Sequence, residues 1–372
     1  MPSRETFAYR RALKLRAQKA VDDNDSTVDS VFARAQDDFL TFCTIMDKAP
    51  AHHMLEWHKH LITGVSNRYL LDIAGPNLDI LAPRGSAKST VLNMFTAWII
   101  GRHTSKGMPL QIIYCSYNIA TAIPKSRIIK QIIDSTSFKK IFPKVKLKSG
   151  MQSDIGWSID FDYAGIDRVG DEEFTLRAAG LRGSITSKRA HLVIVDDPIK
   201  SSADIKNPAV RDEMNNNWSS VIAPIVFEGG RSICLGTRFH PLDIHKTMFS
   251  PTKGWKQVSQ EALTYDSEGD AVSYWPEQWS VEYLQQQKEL DPVAFAFQYQ
   301  QQPVMTSDLV LSPDLIVKGE VETEFDSLAV GIDLSASKNE TSDYTAFVLG
   351  GRLKDKFYII DAHQVRSIGN LE

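Results

Sequence analysis

Three features that follow each other directly in the chain most constrain its fold. Residues 78–81 (Leu-Asp-Ile-Leu) predict a short strand, and residues 91–100 predict an apolar helix. Between them lies Ala-Pro-Arg-Gly-Ser-Ala-Lys-Ser-Thr (82–90), where small residues let backbone N–H groups converge on an anion. Lys88 can bind the β- and γ-phosphates of a nucleotide, and Ser89 can bind Mg²⁺. The order therefore predicts a phosphate-binding loop.

This loop departs from the common pattern at Ala82 and Ala87, where glycine is usual. Alanine is tolerable there only if φ is negative at both positions, which the sequence does not show. The alternative is an ordinary strand–loop–helix connection with a surface lysine. The residues expected to contact the nucleotide are Pro83, Arg84, Gly85, Ser86, Ala87, Lys88, Ser89 and Thr90.

A second motif is a buried-type strand that ends in two carboxylates, His-Leu-Val-Ile-Val-Asp-Asp-Pro (191–198). After a phosphate loop, this is the context of a Walker B element. Asp196 would hold Mg²⁺, and Asp197 would orient or deprotonate the attacking water. Because glutamate is more usual than aspartate at the second position, Glu228 is an alternative catalytic carboxylate. The two motifs together predict a nucleotide triphosphatase.

A third strand, 231–235, runs into Gly-Thr-Arg-Phe-His-Pro (236–241). Thr237 and Arg238 would place a hydroxyl and a guanidinium where loss of the γ-phosphate can be sensed. Strands and helix-like runs alternate from about residue 70 onward, which predicts an α/β domain with a mainly parallel sheet. In such sheets the ligand crevice lies at the carboxyl ends of the strands. The polar residues that follow these strands are therefore the expected site.

Composition places further limits on function. The 372 residues correspond to roughly 2.5 domains. No apolar run approaches the ~18 residues of a membrane span, so no membrane partner is expected. Three widely spaced cysteines indicate a reducing, cytoplasmic setting rather than a disulfide framework. Because the net charge is −4, any nucleic-acid binding must come from a local basic patch.

The segment 125–148 is the strongest candidate for such a patch. It contains the single acid Asp134, and Phe138 and Phe142 are interleaved with its basic residues. This composition predicts contact with a phosphate backbone, and the alternative is a solvated helix and turn. The basic residues are Lys125, Arg127, Lys130, Lys139, Lys140, Lys144, Lys146 and Lys148.

Composition shifts divide the chain into four parts. Residues 1–48 predict an N-terminal helical arm that includes an amphipathic helix at 28–46. Residues 49–255 form the predicted core, and residues 256–312 a lid or linker. Residues 313–372 open a new domain, with a β-meander predicted at 328–333, 345–350 and 357–361.

The motifs at 82–90, 195–198 and 235–241 together resemble the large terminase subunit of tailed double-stranded DNA bacteriophages. Residues 295–303 resemble the segment that closes the ATPase region of that family, and residues 331–333 resemble the start of its nuclease. The resemblance implies a P-loop ATPase of the ASCE type, then a small lid, then the first strands of a ribonuclease H-like domain.

The same resemblance implies function and partners. The family member would be an ATP-hydrolysing motor that translocates double-stranded DNA through the portal protein into the procapsid, in the cytoplasm of an infected bacterial host. It would work as a ring with the small terminase subunit, and its endonuclease would cut concatemeric DNA. ATP and Mg²⁺ would serve the motor, and two divalent metals (Mg²⁺ or Mn²⁺) would serve the nuclease. The alternatives are a P-loop helicase or translocase not dedicated to packaging, and a nucleotide-gated structural adaptor.

Residue roles also follow from the resemblance. It places Lys88 on the phosphates, Ser89 and Asp196 on Mg²⁺, Asp197 as the catalytic carboxylate and Thr237 in the coupling motif. Arg84 corresponds to an arginine that responds to the γ-phosphate.

Other roles are expected outside the phosphate loop. Trp57 and His58 occupy the region where the family contacts adenine. Arg182 and Arg189 are candidates for reaching a neighbouring subunit's nucleotide. Asp333 is the candidate nuclease metal ligand. The family's other acids come from later strands that this chain lacks, so we expect no competent nuclease from these residues alone.

Overall fold

The computed structural model describes residues 26–46, 52–166, 174–183, 185, 189–302, 319, 324–333, 345–354 and 356–365. The chain divides into two units, Met1–Thr306 and Ser307–Glu372. Most of the predicted N-terminal arm, residues 1–25, lies outside the described residues. In the described part of the chain, no helix combines the length and apolar character needed to cross a bilayer.

The central sheet of the first unit has eight strands in the order β3-β4-β5-β2-β6-β7-β1-β8. All neighbours from β5 to β8 pair in parallel, while β3–β4 and β4–β5 are antiparallel. The predicted α/β fold with a mainly parallel sheet is thereby confirmed. The strands are β1 (Leu78–Leu81), β2 (Ile112–Ser116), β3 (Leu147–Gln152), β4 (Gly156–Ile159), β5 (Leu176–Gly180), β6 (Ala190–Asp196), β7 (Val226–Gly236) and β8 (Lys256–Ser259).

Helices cover both faces of this sheet, and two separate hydrophobic cores lie beneath them. The helices are α1 (Ser26–Asp37), α2 (Phe39–Ile45), α3 (His52–Leu61), α4 (Lys88–Ser105), α5 (Ile119–Asp134), α6 (Thr136–Ile141), α7 (Ser202–Ile205), α8 (Pro208–Asn217), α9 (Ile244–Thr247), α10 (Val281–Leu290) and α11 (Pro292–Gln298). The described residues also form a π-helix (Trp218–Ile222) and two 3₁₀ turns (Ala223–Ile225 and Pro251–Lys253).

Helix α4 begins at the phosphate loop and is buried along most of its length. Phe95 and Trp98 are among its fully buried side chains. A helix that is apolar all round must be covered on all sides, and α1 and α2 both pack against α4. This burial fixes the helix N-terminus at the carboxyl end of β1.

The predicted helix 28–46 is divided in two at Asp38. This residue has an extended backbone, and its carboxylate accepts a hydrogen bond of 3.2 Å from Leu40 N. Asp38 therefore caps α2, a role in which aspartate stabilises a helix start by about 1 kcal/mol. The apolar spacing continues through the break, which is why the sequence did not reveal it.

β7 lies between β1 and β6 in the sheet. Leu81 is paired with Gly236, and Asp196 with Leu235. The three strands that precede the three sequence motifs are therefore direct neighbours, and their carboxyl ends meet at one edge. This topology brings the motifs together, although more than 140 residues separate the first motif from the third.

A small subdomain follows the sheet, with its own core of Leu263, Tyr274, Leu284 and Phe295. It contains α10, α11 and the hairpin of β9 (Leu263–Tyr265) and β10 (Ala271–Ser273). One strand assigned to the lid by sequence belongs elsewhere, because β8 pairs in parallel with β1 as the edge of the central sheet. The remaining boundaries within 1–312 stay predictions.

The second unit contains an antiparallel sheet of β11 (Ser327–Asp333), β12 (Thr345–Leu353) and β13 (Lys356–Val365). The strands form a meander in the order β11-β12-β13, as the alternating sequence pattern indicates. β12 and β13 extend beyond their predicted ends, and a register shift lies between Leu349 and Gly350. Assignment of this meander to a nuclease stays a prediction.

Candidate functional site

The phosphate loop connects β1 to α4, and Lys88 is the first residue of the helix. Gly85 has a φ of 72° and Ala87 a φ of 62°. The condition of negative φ thus fails at Ala87, whereas Ala82 is not among the described residues with positive φ. A left-handed alanine costs about 1–2 kcal/mol, because its Cβ approaches the following carbonyl. The helix start and its buried body hold this strained residue in place.

Lys88 points into the sheet edge and is only 5% exposed. Its ammonium donates to Thr237 Oγ1 at 2.8 Å, to Pro83 O at 3.0 Å and to Ala82 O at 3.3 Å. Asp197 Oδ1 lies 3.7 Å from the same nitrogen. The amine is therefore fully engaged by the loop and by the neighbouring strand ends.

Asp196 is the last residue of β6, and its side chain is 1% exposed. Its Oδ1 accepts a hydrogen bond from Ser89 Oγ at 2.9 Å. Its Oδ2 lies 3.1 Å from the Tyr114 hydroxyl and 3.2 Å from Lys125 Nζ. Burial, followed by the charge of Asp197, raises the pKa of the Asp196 carboxyl above its usual value, while Lys125 and Ser89 oppose the rise.

Asp197 differs from its neighbour in exposure and backbone. Its side chain is 46% exposed and faces the cleft. Its φ is 47°, and its N–H donates to Leu235 O at 3.0 Å. Aspartate adopts this left-handed conformation more readily than most residues. The two carboxylates therefore differ in environment: one is buried and bonded, and the other is open to a ligand.

Thr237 follows β7 and contacts the first strand as well as Lys88. Its hydroxyl donates to Ala82 O at 2.8 Å. The next residue, Arg238, donates through Nε to both carboxylate oxygens of the buried Asp243, at 2.9 and 3.0 Å. Asp243 also accepts from Phe239 N at 3.1 Å. This network fixes the turn that presents Thr237.

A buried polar cluster lies beside strands β1 and β7. His245 Nδ1 lies 3.0 Å from Asp79, and Gln257 donates to the same carboxylate at 2.9 Å. Burial lowers the pKa of His245, but the Asp79 carboxylate outweighs it, so the net pKa is raised. A Cβ at Gly236 would lie 2.5 Å from His245 Cε1, so only glycine fits there.

The segment 295–303 contacts two of the motifs. Arg84 N donates to Gln298 O at 3.1 Å, and Arg84 Nη1 donates to Gln298 Oε1 at 3.2 Å. Gln301 Oε1 accepts from Arg238 N at 3.1 Å. Trp279 covers Gly85 so closely that a Cβ there would lie 2.6 Å from the indole ring. The small subdomain thus touches both the phosphate loop and the turn after β7.

A cleft of about 280 Å³ lies at this sheet edge. Four cationic and two anionic side chains are among its lining groups, which suits an anionic ligand with a bound cation. Its lining residues are Arg84, Gly85, Lys88, Ser116, Tyr117, Thr121, Lys125, Asp196, Asp197, Ile199, Lys200, Thr237 and Phe239.

The structure contradicts the expected contacts of Trp57 and His58 with the base of a nucleotide. Trp57 is 1% exposed in the hydrophobic core, and His58 stacks on Phe39 with ring centroids 6.1 Å apart. Neither residue lines the cleft. The aromatic spacing reflects the apolar face of α3 rather than a ligand site.

The structure also contradicts Glu228 as the alternative catalytic carboxylate. It is exposed near the amino end of β7, whereas Thr237 follows the carboxyl end. At about 3.3 Å per residue, the strand separates it from the cleft by more than 20 Å. Asp197 is the carboxylate that the structure brings to Lys88.

The remaining predicted residues lie outside the cluster. Arg182 is paired with Glu213 at 2.7 Å and lies 3.3 Å from the Tyr117 hydroxyl at the cleft wall. Arg189 donates to Pro224 O at 3.1 Å. Asp333 ends β11 and belongs to no potential metal-binding group of His, Cys, Asp or Glu among the described residues.

The basic segment is only partly available for DNA. Lys125 lines the cleft, and Arg127 and Lys130 are both paired with Asp154. The interleaved aromatic residues Phe138 and Phe142 are fully buried, so they do not face a nucleic acid as expected. The exposed lysines of the segment are Lys139, Lys140, Lys144, Lys146 and Lys148.

Sequence reasoning missed Tyr114, Lys125 and Gln298 as site residues. Tyr114 lies near the end of β2 at the same sheet edge, so its strand position was a usable signal. Lys125 was counted with the basic segment because composition does not reveal which way a helical side chain points. Gln298 lies in the segment 295–303 noted from the sequence, but its contact with Arg84, 214 residues away, depends on tertiary packing.

Comparisons with known proteins identify one related group. No family model matches the chain. The chain is 23% identical over 252 residues to the large terminase subunit of Enterobacteria phage T3. The matched region covers 66% of this chain but 39% of that protein, so the chain spans less than half of the relative's length.

Solved structures of large terminases are also similar. The large terminase of a thermophilic bacteriophage has 10% identity and a TM-score of 0.41, with 85% of this chain and 68% of that one covered. The ATPase domain from Thermus phage P74-26 has 14% identity and a TM-score of 0.41, with 69% and 95% covered. Since these scores lie below 0.5, the fold assignment depends on the strand order and site geometry above. The curated relative confirms the resemblance found in the motifs: this chain is similar to the large terminase subunits of bacteriophages.

Proposed function

We propose that this chain contains the ATPase motor of a phage large terminase, which translocates double-stranded DNA into a procapsid. One observation carries the proposal: Lys88, Asp196, Asp197 and Thr237 converge at one cleft, at the carboxyl ends of three adjacent parallel strands. Ser89 joins them through its bond to Asp196. This is the expected place for a nucleotide in an open α/β sheet.

The residues present fit a magnesium nucleotide. Ser89 and Asp196 offer two oxygen atoms 2.9 Å apart, and magnesium prefers oxygen ligands. When bound, the metal would neutralise charge on the phosphates. Lys88 would bind the β- and γ-phosphates, and backbone N–H groups of residues 85–90 would cradle them.

Two side chains would act on the γ-phosphate. Asp197 is open to the cleft and would orient the attacking water or accept its proton. Arg84 also lines the cleft and would stabilise the charge that develops on the transferred group. Thr237 would report the state of the phosphates, because its hydroxyl already contacts the amine that binds them.

The wider role is part of the same proposal. Exposed lysines at 140, 144 and 148 support contact with the DNA backbone. A portal protein, a small terminase subunit and a ring of copies would complete the motor in the bacterial cytoplasm. The similarity to the curated terminase favours this role over a helicase not dedicated to packaging or a structural adaptor.

ATP hydrolysis with and without DNA tests the motor. We expect Lys88→Ala and Asp197→Asn each to lower the hydrolysis rate at least ~100-fold, because each removes a group at the reacting phosphate. Lys253→Ala, on an exposed turn, is the matched control and should keep the wild-type rate. A Lys88→Ala variant as fast as wild type would exclude the proposal.

A procapsid assay distinguishes the functional alternatives. Portal-dependent protection of DNA from nuclease digestion supports packaging, whereas ATP-driven strand separation without a portal supports a helicase. Binding of nucleotide without DNA-stimulated turnover supports an adaptor. Each assay uses the same wild-type protein and the Lys88→Ala variant as a control.

The nuclease part of the proposal concerns the acidic residue that ends β11. Asp333 would be one ligand of a two-metal site, and such a site needs several carboxylates around two ions about 4 Å apart. We expect this chain not to nick plasmid DNA with Mg²⁺ or Mn²⁺. Robust cutting that Asp333→Ala abolishes would contradict that expectation.

A further inference from the structure

Lys125 lines the cleft and contacts Asp196. The residue lies in the first half of α5, and its side chain is 27% exposed. Its amine lies 3.2 Å from Oδ2 of Asp196, whose side chain is 1% exposed. A half-buried cation thus touches a fully buried carboxylate at the floor of the cleft.

This contact supplies the charge that Asp196 needs. Among the residues that the structure describes, Lys125 is the only cation paired with Asp196. The other two partners, Ser89 and Tyr114, are neutral hydroxyl groups. A buried carboxylate without a compensating cation is strongly unfavourable. In the absence of nucleotide, the lysine therefore balances the carboxylate.

A metal ion held by Ser89 and Oδ1 of Asp196 would bind the same carboxylate as the Lys125 amine, which lies at Oδ2. An ammonium group and a divalent cation repel each other strongly at contact distance in a buried site. The lysine must then give up the carboxylate, and the nearest new anion in the cleft would be the phosphate chain. The Lys125 side chain lines the cleft and is 27% exposed, so its amine can move from the carboxylate to a ligand in the same cleft.

We infer that Lys125 is the resident counter-cation of Asp196, that a divalent metal displaces it, and that its amine then binds the phosphates of the nucleotide. The inference rests on the proposed function, because it requires a phosphate-bearing ligand. It makes Lys125 a second lysine of the phosphate site, beside Lys88. The two lysines enter from different elements, α5 and the start of α4.

Removal of the Lys125 amine should strengthen the binding of a metal ion and weaken the binding of a nucleotide. Without Lys125, the carboxylate of Asp196 attracts a metal ion more strongly. The same change removes a cation from the phosphates, so a nucleotide binds more weakly to the protein whose metal site is filled. General damage to the cleft would weaken both kinds of binding, and this difference separates the inference from a structural role.

The probes are Mn²⁺ alone, measured by electron paramagnetic resonance, and a fluorescent ATP analogue at a saturating Mn²⁺ concentration. We expect Lys125→Met to bind Mn²⁺ about tenfold more tightly than wild type and, with the metal site filled, to bind the ATP analogue about tenfold more weakly. Lys130→Met is the matched control, since Lys130 lies on the same helix but is paired with Asp154 away from the cleft. Both of its affinities should equal those of wild type.

Two further results decide the inference. Unchanged Mn²⁺ affinity in Lys125→Met, or a parallel loss of both affinities, would overturn it. Lys125→Arg keeps the charge and should bind Mn²⁺ within about threefold of wild type, so a large increase there would also overturn it. If the wild-type protein binds no nucleotide, the proposed function fails, while the Mn²⁺ comparison still tests the pairing with Asp196.

Discussion

Lys88 and Thr237 are joined by a hydrogen bond of 2.8 Å, although 149 residues separate them in the chain. The contact exists because β7 lies directly beside β1, so the residue that follows β7 reaches the start of α4. Thr237 also donates to Ala82 O, which ties it to the other end of the phosphate loop. A change at the phosphates would therefore pass directly to the turn after β7.

Replacement of Thr237 by valine tests this link. Valine keeps the shape but removes the hydroxyl that holds the Lys88 amine. We expect the hydrolysis rate to fall roughly 10- to 100-fold, which corresponds to about 1.4–2.7 kcal/mol of transition-state stabilisation. Steady-state kinetics with ATP measure the effect. Thr237→Ser retains the hydroxyl and should stay within about threefold of wild type, and equal rates for all three proteins would show that the bond has no catalytic role.

The left-handed Ala87 predicts a stabilising substitution. Ala87→Gly removes about 1–2 kcal/mol of strain and adds about 0.5–1 kcal/mol of backbone entropy cost. We expect a net gain of about 0.5–1 kcal/mol in the free energy of unfolding, measured by urea denaturation. Ala97→Gly, in the buried interior of α4, should instead lose about 1 kcal/mol or more. Stabilisation or destabilisation by both variants alike would contradict the assigned backbone.

The sequence was most informative where function imposes a local pattern. The phosphate loop and the strand with Asp196 and Asp197 could be predicted because each needs its residues in one short segment. Their meeting at one cleft followed from the rule that parallel strands align their carboxyl ends. Trp57 shows the limit of this reasoning, because an aromatic residue gives the same pattern in a core as at a base contact. Contacts such as Arg84–Gln298 depend on how distant segments pack.

His103 makes stability sensitive to acid. Its ring is buried, Nδ1 lies 2.8 Å from Ile99 O, and Nε2 accepts from Leu71 N at 2.8 Å. Burial lowers the pKa of His103 from 6.5 to about 4. Above pH 6.5 the ring is neutral in both the folded and the unfolded state, so its stabilising contribution is fully present. Below pH 6.5 the unfolded chain takes up the proton first, and the contribution is lost as the pH falls toward 4.

The size of this change in stability follows from the difference between the His103 pKa in the folded state and in the unfolded state. A shift from 6.5 to about 4 corresponds to roughly 3 kcal/mol lost from the free energy of unfolding between neutral pH and pH 4. Urea denaturation of wild type and His103→Gln across this range isolates it, because all other titrating groups are shared. The variant should be less stable at neutral pH and show a flatter pH dependence. Parallel curves for the two proteins would mean that His103 does not titrate as assigned.

The exposed lysines after α5 predict salt-dependent DNA binding. Lys140, Lys144 and Lys148 have no ion pair within the described part of the chain, whereas Arg127 is paired with Asp154. Each phosphate contact contributes about 0.9 to the slope of log affinity against log salt. We expect a triple alanine variant of the three lysines to lower that slope by about 2–3, measured by fluorescence anisotropy with duplex DNA. Arg127→Ala should leave it unchanged, and a triple variant with the wild-type slope would mean that DNA binds another surface.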